Sequence, residues 1–352
     1  MNPHLTQTPP VAGAFKTCPE DFVVEEIAKI EPDGHGDHCW LWIEKRGLTT
    51  SRATRDLAEA LGADPKSAGW AGMKDRHALT RQWVSLVGVD PEAARAIQRD
   101  DLRVLDARKH GRKLKTGVLR GNRFILRIRD VPAQALSILG DALGVLVARG
   151  APNYYGAQRF GVDNLARARR WLIEGGRAPR KRTERRFLVS ALQSHAFNQV
   201  LAERIDAFDG ARLGDVMRKE ETGGMFVCTE PETDAPRVAA WEISPTGPMF
   251  GRKMTRADAG VGEDEARIER AVGFDDAVYA RMGRLGEGTR RPLRVRANAA
   301  ELAAADDGDG VILKLELPAG AYATVVLDEL FKSGLRDASG PKSGPIRAEA
   351  SE

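Results

Sequence analysis

Two periods alternate along this chain of 352 residues. Where apolar and polar positions alternate one by one, a half-buried strand is expected; where apolar positions recur every third or fourth residue, an amphipathic helix is. Residues 20–30 follow the first rule, with Phe22, Val23, Val24 and Ile27 interleaved with Asp21, Glu25 and Glu26. His38 to Glu44 does the same, with Trp40 and Trp42 on one face. Ala53, Leu57, Ala58 and Leu61 then form a helical stripe, capped by Thr50 or Ser51 and closed by Gly62. A short apolar segment, Ala68 to Met73, precedes a strand expected over Gln82 to Val89. The pattern predicts three further strands, at 102–109, 113–119 and 122–130, and a helix from about Gln134 to Ala148.

Gly150 to Pro152 breaks this order. A long helix is predicted over Phe187 to Phe208, while residues 209–290, rich in Gly, Pro and charge, read as short elements and loops. Strand patterning returns at Arg294 to Arg296 and over Val311 to Leu317, and Pro318-Ala319-Gly320 turns into a helix from about Ala321 to Phe331. That last strand needs partners. One domain interrupted by a differently patterned middle supplies them, whereas two domains in series do not. Residues 336–352 are small and polar and are expected to be disordered.

Composition narrows the class. Hydrophobic residues make up 42% and charged residues 30%, a globular balance. No eighteen-residue apolar run predicts a membrane span, and Met1 to Pro10 lacks the pattern of a secretory leader. Cys18, Cys39 and Cys228 are scattered, which argues against a disulfide scaffold and for a reducing cytoplasm. The net charge of +4 says little, but its distribution says more. Between Arg103 and Arg129 ten Lys and Arg stand against one acid, and between Arg167 and Arg186 nine stand against two. Such concentration on a nearly balanced chain points to a phosphate-binding surface.

The densest candidate chemistry is Lys74-Asp75-Arg76-His77, between a short apolar segment and a new strand. A carboxylate among cations stays ionised and can act as base or nucleophile. An ordinary charged turn, its Asp capping its own backbone, fits the same residues. His35-Gly36-Asp37-His38-Cys39 lacks the second ligand pair that a metal cluster needs, and reads as a polar turn. A metal-dependent nuclease using Asp37 and Asp75 finds no paired-carboxylate spacing to support it.

The segment Gly72-Met73-Lys74-Asp75-Arg76-His77-Ala78-Leu79-Thr80-Arg81-Gln82 resembles the signature of the TruD family of tRNA pseudouridine synthases. Pro19 to Glu26, Lys115 to Phe124, Pro152 to Gly161, Ser190 to Glu203 and Leu317 to Thr324 are similar to that family too, in its order. The resemblance implies an α+β fold, a pseudouridine-synthase-type catalytic domain with a mixed, largely antiparallel sheet, interrupted by an inserted α/β TRUD domain. The catalytic domain would be residues 1–152 with 292–335, and the insertion 153–291. The implied activity is isomerisation of uridine, at position 13 in the D arm of tRNA, to pseudouridine. Asp75 would be the catalytic aspartate. Phe22, Asn122 and Tyr322 would contact the substrate, Tyr322 standing where the family usually has Phe. Lys16 is the candidate cation for Asp75. The reaction needs no cofactor or metal, the partner is tRNA, and neither a membrane nor an obligate protein partner is implied. A non-catalytic RNA-binding protein or RNA chaperone on the same fold is the alternative; the intact Asp75 favours the enzyme.

Overall fold

A computed structural model describes residues 2–161 and 163–339. They fall into two compact units. One holds Thr8–Leu143, Ala297–Gly320 and the chain from Leu330; the other holds Met1–Gln7, Gly144–Arg296 and Ala321–Glu329. The sequence placed the joints at 152/153 and 291/292, whereas these units divide at 143/144 and 296/297, and Ala321–Glu329 is grouped with the middle of the chain.

The first unit is a ten-stranded sheet. Its strands are β1 (Gly13–Phe15), β2 (Phe22–Ala28), β3 (His38–Arg46), β4 (Gly69–Trp70), β5 (Leu79–Val87), β6 (Leu102–His110) and β7 (Leu119–Arg129), with Asn298–Ala304, Val311–Pro318 and Leu335–Asp337. The main path runs from Asn298–Ala304 through Val311–Pro318, β7, β2, β5 and β3 to β6. All its neighbours are antiparallel except β2 and β5. The late strand does find its partner in the first part of the chain, where Leu317 lies opposite Asn122 and Leu315 opposite Phe124.

Register sorts the side chains onto two faces, because successive residues of a strand point to opposite sides. On one face Glu316, Arg123, Glu25, Arg81 and Glu44 follow one another across five strands as cross-strand neighbours, and each contact in the row is an ion pair. On the other lie Phe22, Val24 and Glu26 of β2, Asn122 and Phe124 of β7, Thr80 and Gln82 of β5, and Cys39, Leu41, Ile43 and Lys45 of β3. Helix α1 (Thr50–Ala60) covers the β3 end of this face with Ala53, Leu57 and Ala58. Leu57 is wholly buried there, and Leu57→Ala would cost about 2–5 kcal/mol. The helix cap is Thr49, which accepts from the Arg52 N–H; Thr50, expected as the cap, is turned inward and buried.

Other expectations need correction. Residues 102–130 form two long strands, because 113–118 is a loop whose Gly117 N–H donates to Ala71. Asn298–Ala304 is a strand that the sequence pattern does not predict, since its small residues lack the β-branched signal; pairing with Val311–Pro318 makes it one. The tail begins with the strand Leu335–Asp337, parallel to β1, and the expected disorder of 340–352 lies outside the described residues.

In the second unit the long helix runs over Arg182–Glu203. Leu188, Val189, Leu192, Ala196 and Val200 pack into a core with Phe250, Ile268 and Phe274. Residues 209–290 are more regular than expected. They hold the helices Pro231–Ala239, Ala259–Val272 and Asp276–Met282, and most of a four-stranded antiparallel sheet. Some of their Gly and Pro residues lie within elements, as Pro236 does in a helix and Pro245 and Gly247 do in a strand, and others end them; Gly273, at φ 99°, ends the Ala259–Val272 helix in the left-handed conformation. Among the described residues no helix is long and apolar enough to cross a membrane.

Candidate active site

Asp75 lies in the loop between β4 and β5. Its carboxylate accepts from the Lys16 ammonium at 2.5 Å through Oδ2 and from the His77 backbone N–H at 3.2 Å through Oδ1. Lys16 reaches it from just beyond β1. Its backbone is left-handed, at φ 59°, a conformation that costs a non-glycine residue about 1–2 kcal/mol. Its side chain is only 4% exposed. A strained, buried cation aimed at a carboxylate is an arrangement that the surrounding structure must impose. Phe22 helps impose it, since the Lys16 ammonium stands 4.4 Å from the centre of its ring. The Phe22 ring in turn packs against Phe15 and, edge-on, Phe124.

Several bonds fix the Asp75 loop. Lys45 Nζ donates to the Asp75 carbonyl at 2.8 Å and to the Leu48 carbonyl at 2.7 Å. The Lys74 backbone N–H donates to Thr50 Oγ1, which donates to Gln82 Oε1, while Gln82 Nε2 holds the Gly72 carbonyl. The Lys74 ammonium pairs with Glu26 at 2.9 Å, both side chains almost fully buried. Burial raises the Glu26 carboxyl above its ordinary value against the pull of Lys74. Burial also pushes the Lys45 ammonium down to about 8, and Asp75 opposes that shift. Lys45 and Glu26 are parts of the site that the sequence reading does not include; Lys74, expected beside Asp75, turns to Glu26 instead. The signal was there: Lys45 stands in the inward phase of Cys39-Leu41-Ile43-Lys45, and Glu26 in that of Phe22-Val24-Glu26. A charge at an inward strand position has to be paired or hydrogen-bonded.

Asn122 lies directly across the sheet from Glu26, beside Leu317. Its Oδ1 is buried and meets no hydrogen-bond donor among the described residues. The structure thus brings Lys16, Asp75 and Phe22 together and places Asn122 on the same sheet face as Phe22. Tyr322 belongs to the other compact unit. There its ring meets Tyr155 edge-on at 6.1 Å, and burial raises its hydroxyl above the ordinary value. Asn198 holds the Tyr155 backbone on both sides, and Arg291 lies 4.1 Å above the Tyr155 ring. His35 to Cys39 hold no metal-like set: His110 pairs with Asp33 instead, and no cluster of three metal-ligating side chains occurs among the described residues.

The family model for tRNA pseudouridine synthase D (TruD) matches residues 1–170 and 180–330. This chain belongs to the TruD family. The resemblance read from the motifs is therefore borne out over almost the whole chain. A curated TruD protein of Anaeromyxobacter dehalogenans strain 2CP-C is 45% identical over 335 residues, covering 92% of this chain and 94% of its own. One from Geobacter sp. strain M21 is 37% identical over 399 residues, covering 95% of this chain and 100% of its own. The solved TruD structure from Methanosarcina mazei shares the fold, with a TM-score of 0.77 at 22% identity over 94% of this chain and 96% of that one.

Proposed function

We infer that the chain isomerises uridine to pseudouridine in tRNA and that Asp75 is the group that does it. Membership of the TruD family carries the first part. The Lys16–Asp75 contact beside the Phe22 ring supports the second. The reaction breaks the bond from ribose C1′ to uracil N1, turns the uracil, and joins C1′ to C5; N1 gains a proton and C5 loses one. Nothing is oxidised and no group is donated. The protein has to supply a carboxylate at the sugar, a cation to keep it charged, and surfaces that retain the free base.

Asp75 fits the first role, whether it attacks C1′ or removes the 2′ proton, and Lys16 the second. Phe22 offers a ring for the base, and stacking one base on an aromatic ring stabilises by about 1–3 kcal/mol. The unpaired Asn122 Oδ1 is an acceptor for an N–H of the uracil edge. Tyr322 is assigned to the substrate on the family resemblance, as a ring that keeps its stacking area and adds a hydroxyl. The family resemblance also gives uridine 13 as the target, and the three scattered, free cysteines point to a reducing cytoplasm as the compartment. The test is to map pseudouridine in tRNA from cells with and without the protein. Loss at position 13 alone is expected; an unchanged map would refute the assignment.

A further inference from the structure

Of the nine Lys and Arg between Arg167 and Arg186, only Arg167 pairs with a carboxylate among the described residues, that of Glu184. Arg185 donates to the Pro179 carbonyl. Arg169, Arg170, Arg177, Arg180, Lys181, Arg182 and Arg186 are exposed and have no acidic partner there. So many like charges on one stretch repel one another, and a bound anion relieves the repulsion. Arg167, Arg170 and Arg177, with Trp171 and Glu184, line a cleft of about 170 Å³. On the helix that supplies Glu184, Phe187 is 56% exposed although the next residues, Leu188 and Val189, are buried.

A single exposed ring is ordinary on a protein surface. A ring directly after Arg185 and Arg186, on a stretch with seven unpaired cations, is a more particular combination. Cations take phosphates from any nucleic acid, but an exposed ring gains only from a base with a free face. A duplex offers the phosphates and keeps its base faces stacked inside. We propose that this surface binds an unpaired nucleotide of the tRNA other than the reacting uridine, its base on Phe187 and the neighbouring phosphates on Arg170, Arg177 and Arg182. The proposal rests on the tRNA activity inferred above. It supplies binding energy away from the chemistry, and none of the residues around Asp75 takes part in it.

The test compares tRNA affinity and its salt dependence across substitutions in the full-length protein. Phe187→Leu should weaken binding roughly 5- to 150-fold, the fold-change that stacking one base is worth, with no change in the salt slope. Phe187→Tyr should bind as the wild type does. Arg170→Gln and Arg177→Gln should each flatten the logarithmic slope by roughly 0.7–0.9. A short oligouridylate in excess should compete with tRNA, and an RNA duplex of equal length and concentration should compete less. Wild-type affinity in Phe187→Leu, with an unaltered melting temperature, would overturn the base contact. So would stronger competition by the duplex. Pseudouridine formation by the wild-type preparation is the control that separates failure here from failure of the tRNA activity itself.

Discussion

The two basic stretches look alike in the sequence and differ in the structure. Among the described residues, four of the ten cations between Arg103 and Arg129 have carboxylate partners: Arg108 pairs with Asp106, Arg123 with Glu25 and Glu316, Arg127 with Asp307 and Asp309, and Arg129 with Asp21 and Asp309. All of these acids but Asp106 lie outside the stretch, on other strands or in turns, so counting along the stretch does not reveal them. Between Arg167 and Arg186 the corresponding figure is one of nine. The first stretch ties four of its ten charges to acids, whereas the second leaves eight of its nine without one among the described residues. Local charge density alone therefore does not locate a phosphate-binding surface; pairing decides it. The same contrast separates the buried Lys16, Lys45 and Lys74, each tied to a named oxygen, from the exposed cations between Arg169 and Arg186.

This contrast predicts which quantity each substitution moves. Lys16→Met removes a charge-assisted bond to the Asp75 carboxylate, which is worth about 1.5–3 kcal/mol, and should lower the single-turnover rate roughly 10- to 150-fold. Tight tRNA binding with a slow rate is the expected signature; an unchanged rate would take Lys16 out of the mechanism. Neutralising Arg180, Lys181 and Arg182 together should act the other way. Affinity should fall about 10- to 100-fold at 0.15 M salt and the logarithmic slope should drop by about 2–3. An unaltered slope would place the phosphate path elsewhere.

Lys45 sharpens the distinction through pH. Its proton leaves near pH 8 in the folded protein, against 10.5 ordinarily, because burial disfavours the charge. The unfolded chain therefore holds that proton over a window where the folded one does not. Charged Lys45 costs stability below about pH 8, and the cost disappears as pH rises toward 10.5. For the rate the sign is opposite. Lys45 faces Asp75, with Lys74 close by, so raising pH through about 8 removes positive charge beside the carboxylate and should slow the reaction. Lys45→Met should lower the rate about 3- to 10-fold, as for one hydrogen bond, and erase that alkaline step. Matching pH–rate profiles for variant and wild type would remove the role. The smallest effect is expected from Arg127→Gln. With its charge already taken by Asp307 and Asp309, tRNA affinity should change less than about twofold and the slope not at all.

What the sequence disclosed followed from local rules. The period-two runs gave β2 and β3, the helical stripe gave α1, and a set of ordered motifs gave the family and, with it, Asp75. What it hid was non-local. Lys16 is the expected cation for Asp75, yet no local rule joins residues 59 apart; the fold brings them to 2.5 Å. The bracing by Thr50 and Gln82 depends on a cap one residue earlier than the stripe suggested. Asn298–Ala304 carries no strand propensity and becomes a strand through its partner. The inward charges Lys45 and Glu26 were legible in principle, as breaks in an inward apolar phase, but their partners were not.

Whether Asp75 carries the isomerisation is decided by Asp75→Asn. The amide keeps the size and the position of the side chain but can serve neither as nucleophile nor as base. Single-turnover pseudouridine formation in tRNA, measured on a variant whose fold and tRNA affinity match the wild type, should fall by at least about 10³-fold. Turnover within tenfold of wild type by that folded variant would contradict the account.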